Sequence, residues 1–91
     1  MIFKVYHADH PTFGLGKVQE FPKDFTHVAN VDTNNLSDVF RLTNHIDGAW
    51  WENEGVEFIQ QSRSTSVGDV VEHDGKFYRC EIFGWTEFTN N

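Results

Sequence analysis

The chain has 91 residues, with 14 Asp and Glu against 7 Lys and Arg and a formal net charge of −7. That balance argues against a general nucleic-acid binder, whose affinity comes mainly from Lys and Arg neutralising phosphates, and against attraction to an anionic membrane surface. A lone cysteine, Cys80, excludes an internal disulfide; with no basic-then-apolar start and no apolar run of spanning length, the expected compartment is reducing cytoplasm.

The length sets the expectation of one domain, 1–91, with a modest core to which nine Phe and three Trp bring large apolar payloads. The acid surplus has two readings: a solubilising charge that keeps the chain monomeric, or an acidic face for a basic partner.

Ile2–Ala8 is rich in β-branched and aromatic residues and reads as a strand, with Phe3, Val5 and His7 on one face and Ile2, Lys4 and Tyr6 on the other. Pro11 closes it, having no N–H for a ladder. Residues 9–25 form an irregular connection in which Lys17–Phe21 is a candidate extra strand and Phe13, Phe21 and Phe25 are candidate anchors onto the core. Thr26–Asp32 follows as a strand with Val28 and Val31 buried.

The candidate caps Asp32, Thr33, Asn34 and Asn35 precede Leu36, Val39, Phe40 and Thr43, which fall at i, i+3, i+4 and i+7 and predict a helix over 34–45. Asp38 near its start and Arg41 near its end suit the macrodipole. In Trp50-Trp51-Glu-Asn-Glu54 the two rings point differently in any regular element, so one is expected in the core and the other partly exposed. Gly55 allows a turn into a short strand, Val56–Ile59, and Gln60–Thr65 is a polar loop.

The last third carries the clearest pattern. Val67-Gly68 suits a type II turn, since Gly takes positive φ at little steric cost. Asp74-Gly75 is the preferred pair for a type I′ hairpin, which sets His73 opposite Lys76, Glu72 opposite Phe77 and Val71 opposite Tyr78. Val71, Tyr78, Cys80 and Ile82 then share one face, and Val70, Phe77 and Phe83 the other; both are partly apolar, as in a covered sheet. Gly84 breaks the line before a last strand, Trp85–Phe88.

Arg63-Ser-Thr-Ser-Val-Gly-Asp-Val-Val, Asp74-Gly75, Tyr78-Arg-Cys80 and Phe83-Gly-Trp85 resemble the signature of YodL-like domains, in which a helix precedes an Arg-Ser-Leu-Ser-Val-(Ser/Gly)-Asp-Val run, a hairpin and Gly-Phe. Val39–Asn44 takes the helix slot, Thr65 stands in place of Leu, and Trp85 in place of Phe. The resemblance spans 36–88 and is specific over 63–85. It implies an accessory protein of a phage or mobile element, in a bacterial host cell, and brings no catalytic residue and no cofactor.

Three site candidates follow from residue chemistry. His7, Asp9 and His10 are ligand-type side chains within four residues, and a zinc site would need a further ligand from His27, His45 or His73. Cys80 and the serines Ser62, Ser64 and Ser66 lack a nucleophile pattern; the serines suit turn chemistry and Cys80 a small buried hydrophobe. Arg63 is either a docking contact or is tied to a carboxylate such as Asp69 or to loop carbonyls.

The preferred interaction candidate is Trp50 and Trp51 with Glu52, Glu54 and Glu57, plus Arg63, because Trp concentrates at binding hot spots and the acids reward a basic partner. Acids around the rings disfavour stacking on nucleic acid. The expected fold is α+β: one helix on an antiparallel, strongly curved sheet of four to six short strands, curling toward a small barrel. The expected function is a non-enzymatic, cofactor-free inhibitor of a host protein. The alternatives are a metal-dependent hydrolase or nuclease built on His7, Asp9 and His10, and a self-associating assembly domain.

Overall fold

The computed structural model describes residues 1–9, 20–44 and 49–89. Six strands and one helix follow in the order β1 (Ile2–Ala8), β2 (Phe25–Asp32), α1 (Leu36–Leu42), a 3-10 turn (Trp50–Glu52), β3 (Val56–Phe58), β4 (Val70–His73), β5 (Lys76–Glu81) and β6 (Gly84–Phe88). All neighbours in the sheet are antiparallel, in the order β3-β2-β1-β4-β5-β6. The fold is therefore α+β, as the sequence implies.

The expected curl toward a barrel is corrected: the sheet is open, with β3 and β6 as its two edges. Three-residue β3 is too short to carry the sheet round to β6. The proposed strand at Lys17–Phe21 and the anchor Phe13 fall largely or wholly outside the described residues.

Alternation in β1 buries Phe3, Val5 and His7 on one face. Ala29, Val31 and Val71 join them, and the layer is closed by Val39 of α1 and by Trp50. Leu36, Leu42, Trp51, Val56 and Trp85 pack partly buried around this cluster. A bulge in β2 sets the register: Val5 pairs with Ala29 but Tyr6 with His27, leaving Val28 as the extra residue. Val28 is buried, and its carbonyl accepts from the Ile59 and Gln60 amides at 3.0 Å each, which carries β3 past the bulge.

On the opposite face Phe21 packs edge-on against Tyr6, Phe25, Phe77 and Phe88. Arg79 lies over the Phe88 ring at 4.6 Å. Both faces of the sheet are thus covered, as the apolar pattern of β4 and β5 requires.

The helix is shorter than its periodicity suggests. Asn35 caps it, its side chain accepting from the Asp38 amide at 2.8 Å. It stops at Leu42 because Thr43 leaves helical geometry (φ −110, ψ 28) and turns its carbonyl to the Thr65 amide, 2.9 Å away. Val39 and Thr43 are fully buried, whereas Phe40 is 39% exposed at the edge of the helix stripe.

The hairpin register is the one Asp-Gly dictates: His73 pairs with Lys76, Glu72 with Phe77 and Val71 with Tyr78. Asp74 and Gly75 both have positive φ, 53 and 79. One expectation fails just beyond. Ile82 and Phe83 do not continue the two faces of β5; they form the link of a second hairpin in which Glu81 pairs with Gly84. They stand 88% and 82% exposed.

Candidate functional site

The Arg-Ser-Thr-Ser-Val-Gly-Asp run is an internal clamp. The Asp69 amide donates to the Ser66 carbonyl at 3.1 Å, closing a turn with Gly68 at φ +97. The turn delivers Asp69, fully buried, to the centre of the segment. There its carboxylate accepts from the Ala8 amide at 2.9 Å, the Ser66 amide at 2.8 Å and both terminal nitrogens of Arg63, at 2.6 and 2.8 Å. Arg63 also donates to the Ser64 and Ala8 carbonyls. The fork-on-fork geometry is what a guanidinium supplies and an ammonium does not. Of the two roles the sequence leaves open for Arg63, the structure fills the internal one.

His7 sits beside this pair, 3% exposed. Its Nδ1 lies 2.9 Å from Ser62 Oγ and its Nε2 2.8 Å from Thr65 Oγ1, so each ring nitrogen has a hydroxyl partner. Asp69 is 3.9 Å from Nε2, yet the contact is not an ion pair. Burial pushes the imidazole down to about 4; the Asp69 charge opposes that shift and Arg63 reinforces it. The ring is neutral at physiological pH, and Arg63 rather than His7 balances the buried carboxylate.

This placement bears on the metal candidate. His7 points into the core with both nitrogens engaged, and Asp9, beyond the strand end, accepts from the Thr26 hydroxyl. Among the described residues no group of three or more His, Cys, Asp or Glu converges, and His10 and His45 lie outside them. Cys80 is buried, and burial, aided by the charges of Asp69 and Glu81, raises its thiol to about 11, so it stays protonated.

The tryptophan pair divides as its adjacency implies. Trp50 is fully buried, and its Nε1 donates to the Ser62 and Arg63 carbonyls, each at 3.0 Å, so it belongs to the scaffold. Trp51 is half-buried, its ring edge-on to Trp50 at 5.6 Å and tilted against Phe58 at 6.2 Å. Phe58 and the next residue, Ile59, are 49% and 46% exposed. Glu52, Glu54 and Glu57 are exposed in the same segment, Glu57 on the face of β3 away from Phe58. Glu57 is steadied by the Asn30 amide group at 2.9 Å. Gly55, at φ +88 and with the Asp32 carbonyl only 3.1 Å from where a Cβ would lie, makes the turn that folds the acids of the 3-10 segment beside β3.

This patch lies on an edge strand. The Asp32 amide bonds to the Gly55 carbonyl and the Ile59 amide to the Val28 carbonyl, so odd-numbered positions of β3 face β2 and the Phe58 backbone faces outward. Phe58 and Ile59 were not among the residues singled out from sequence. The signal for them is the Val-Glu-Phe-Ile run itself, apolar next to an acid, which the sequence marks only as a short strand.

No protein-family model, no curated protein and no solved structure matches this chain. The class that fold and site define is a small α+β domain with an open antiparallel sheet and exposed Phe58 and Ile59 at one edge.

Proposed function

We propose that this chain is a non-enzymatic binding protein that docks a basic surface of another protein on Trp51, Phe58 and Ile59, with Glu52, Glu54 and Glu57 as the charged rim. In the setting that the YodL-like resemblance implies, it is a phage or mobile-element accessory protein acting on a host protein in the cytoplasm, as an inhibitor. One observation supports the reading: Trp51 packs against the exposed Phe58 at the open edge of the sheet, in a segment that also carries exposed Ile59, Glu52, Glu54 and Glu57. Central aromatics with a polar rim are the anatomy of a protein interface, and the rim's sign selects a basic partner. No helix among the described residues is long and apolar enough to cross a membrane.

The test is affinity capture from host lysate with the wild-type chain, Phe58→Ser/Ile59→Ser, and Glu52→Gln/Glu54→Gln/Glu57→Gln, followed by titration of the recovered protein. The reading expects a basic protein held by wild type, released by salt and lost with both variants. Equal capture by all three chains overturns it.

A further inference from the structure

The outer side of β3 offers backbone as well as side chains. Its odd-numbered positions bond to β2: the Asp32 amide reaches the Gly55 carbonyl at 2.8 Å and the Ile59 amide the Val28 carbonyl at 3.0 Å. Antiparallel alternation then turns the N–H and C=O of Phe58, and the C=O of Val56, away from the sheet. The Val56 N–H is taken by the Asn53 carbonyl at 3.2 Å. The outward groups of Phe58 and Val56 have no partner among the described residues, where β3 ends the sheet.

The two faces of the strand differ in chemistry. Val56 and Phe58 share the side of the Trp51 ring, 6.2 Å from that of Phe58. Glu57 lies on the other side, where Asn30 donates to its Oε1 at 2.9 Å. Asn30 is oriented in turn by His27, whose Nε2 lies 2.8 Å from Asn30 Oδ1, so the amide nitrogen is turned to Glu57. An open depression of about 490 Å³ lies on this side, walled in part by Asn30, Asp32 and Glu57. Asp32 is already paired there with the Met1 ammonium at 3.0 Å, whereas Glu57 meets no cation among the described residues.

We propose that β3 takes an extended segment of the partner as an added antiparallel strand, an apolar-basic-apolar triplet lying opposite Phe58, Glu57 and Val56 in that order. This rests on docking at the β3 edge as proposed above, and it specifies the partner's conformation and pattern. The register follows from the pleat. The residue opposite Phe58 exchanges two hydrogen bonds with it, and the one opposite Val56 donates a third to the Val56 carbonyl. Both put their side chains on the Trp51 side, while the residue between them faces Glu57 and the depression. A Lys or Arg there meets the open oxygen of Glu57; an Asp or Glu meets like charge. A second copy of this chain is the poorer occupant, since its own edge brings Glu52, Glu54 and Glu57 and its net charge is −7. Backbone alone would accept any strand, and the acid makes this edge selective. Three backbone bonds and one exposed ion pair make a weak contact, with a dissociation constant of roughly 0.1–1 mM for an isolated peptide.

NMR titration of the isotope-labelled intact chain tests this with three end-capped peptides: Thr-Val-Lys-Val-Thr, Thr-Val-Glu-Val-Thr, and the Lys peptide methylated on the nitrogen of its first Val. The Lys peptide is expected to approach saturation by about 5 mM and to slow hydrogen exchange of the Phe58 amide at least about threefold. Methylation removes the donor to the Phe58 carbonyl and should weaken binding about two- to tenfold. The Glu peptide should bind at least about fivefold more weakly than the Lys peptide, and Glu57→Gln should bring the two closer together. Equal binding of the methylated and parent peptides, or unchanged exchange at Phe58 in the complex, overturns strand addition while leaving docking through side chains standing. Absence of binding by the Lys peptide at about 5 mM overturns it as well, and the lysate capture separately decides whether a partner docks at this edge.

Discussion

The two edges of the sheet solve one problem in opposite ways. Among the described residues the open sheet ends at β3 and at β6, and an open edge must avoid indiscriminate pairing. At β3 the strand is only three residues long and carries acids on and around it; at β6 the strand holds Glu87, but the hairpin leading into it ends in bare Ile82 and Phe83. The β3 edge is also braced from behind. Trp51 leans on Trp50, Trp50 donates to Ser62 and Arg63, and Arg63 is locked to Asp69. The other tip is carried by its own hairpin ladder. The comparison teaches that apolar exposure occurs in two settings here: beside acids and braced from behind at β3, and on an unbraced hairpin tip next to β6.

The largest effect should come from cutting the brace. Asp69→Ala leaves the Arg63 guanidinium and two backbone amides without their acceptor, and removing one member of a buried pair costs about 3–5 kcal/mol. Against a total stability of about 5–15 kcal/mol this is a large share, and urea unfolding should show it as a much lower midpoint. A change under about 1 kcal/mol would mean that the clamp is not what holds the β3 edge.

The tryptophans give the next contrast. Trp50→Ala empties a fully buried site and should cost about 3–5 kcal/mol, while Trp51→Ala, at a partly buried site, should cost less and also weaken binding. Equal losses would contradict the split between scaffold and surface.

Acid should loosen the same brace. His7 is held near 4 in the fold against an ordinary 6.5, so the unfolded chain takes up this proton more readily. Its contribution is fully present above pH about 6.5 and is lost as pH falls toward 4, with a ceiling of about 3 kcal/mol. His7→Gln, followed by urea midpoints from pH 7 to 4, should flatten that part of the profile; an unchanged slope assigns the acid sensitivity to other groups.

Smallest in stability is Phe58→Ser/Ile59→Ser. Both residues are about half exposed, so the fold should change by less than about 1 kcal/mol while partner capture disappears.

Much of the fold was legible where residue chemistry leaves one conformation. Asp74-Gly75 admits positive φ at both positions and so set the β4–β5 register, and the alternation of Phe3, Val5 and His7 gave the buried face of β1. The Arg63–Asp69 tie is one of two roles that the sequence leaves open for Arg63, and the fold decides between them. What escaped reading depended on distant partners. The helix stops at Thr43 because Thr65 takes its carbonyl, and the Val28 bulge has no Gly or Pro to announce it.

His7 stands as a candidate ligand in the alternative reading because the chain does not show that Ser62 and Thr65, 55 and 58 positions away, meet its ring. The Ile82-Phe83 tip was missed by extending the β5 alternation two residues too far, with Gly84 the only warning. At the site, Trp51 and the three acids were legible as a cluster. Phe58 and Ile59 were not, since an apolar pair in a strand is more often core.

The most direct test is to titrate the captured partner against the wild-type chain and against Glu52→Gln/Glu54→Gln/Glu57→Gln at low and at physiological salt. Docking at an acid-rimmed edge is expected to show at least about a tenfold loss of affinity for the variant and a wild-type affinity that falls with salt. The same affinity for both chains, independent of salt, would contradict it.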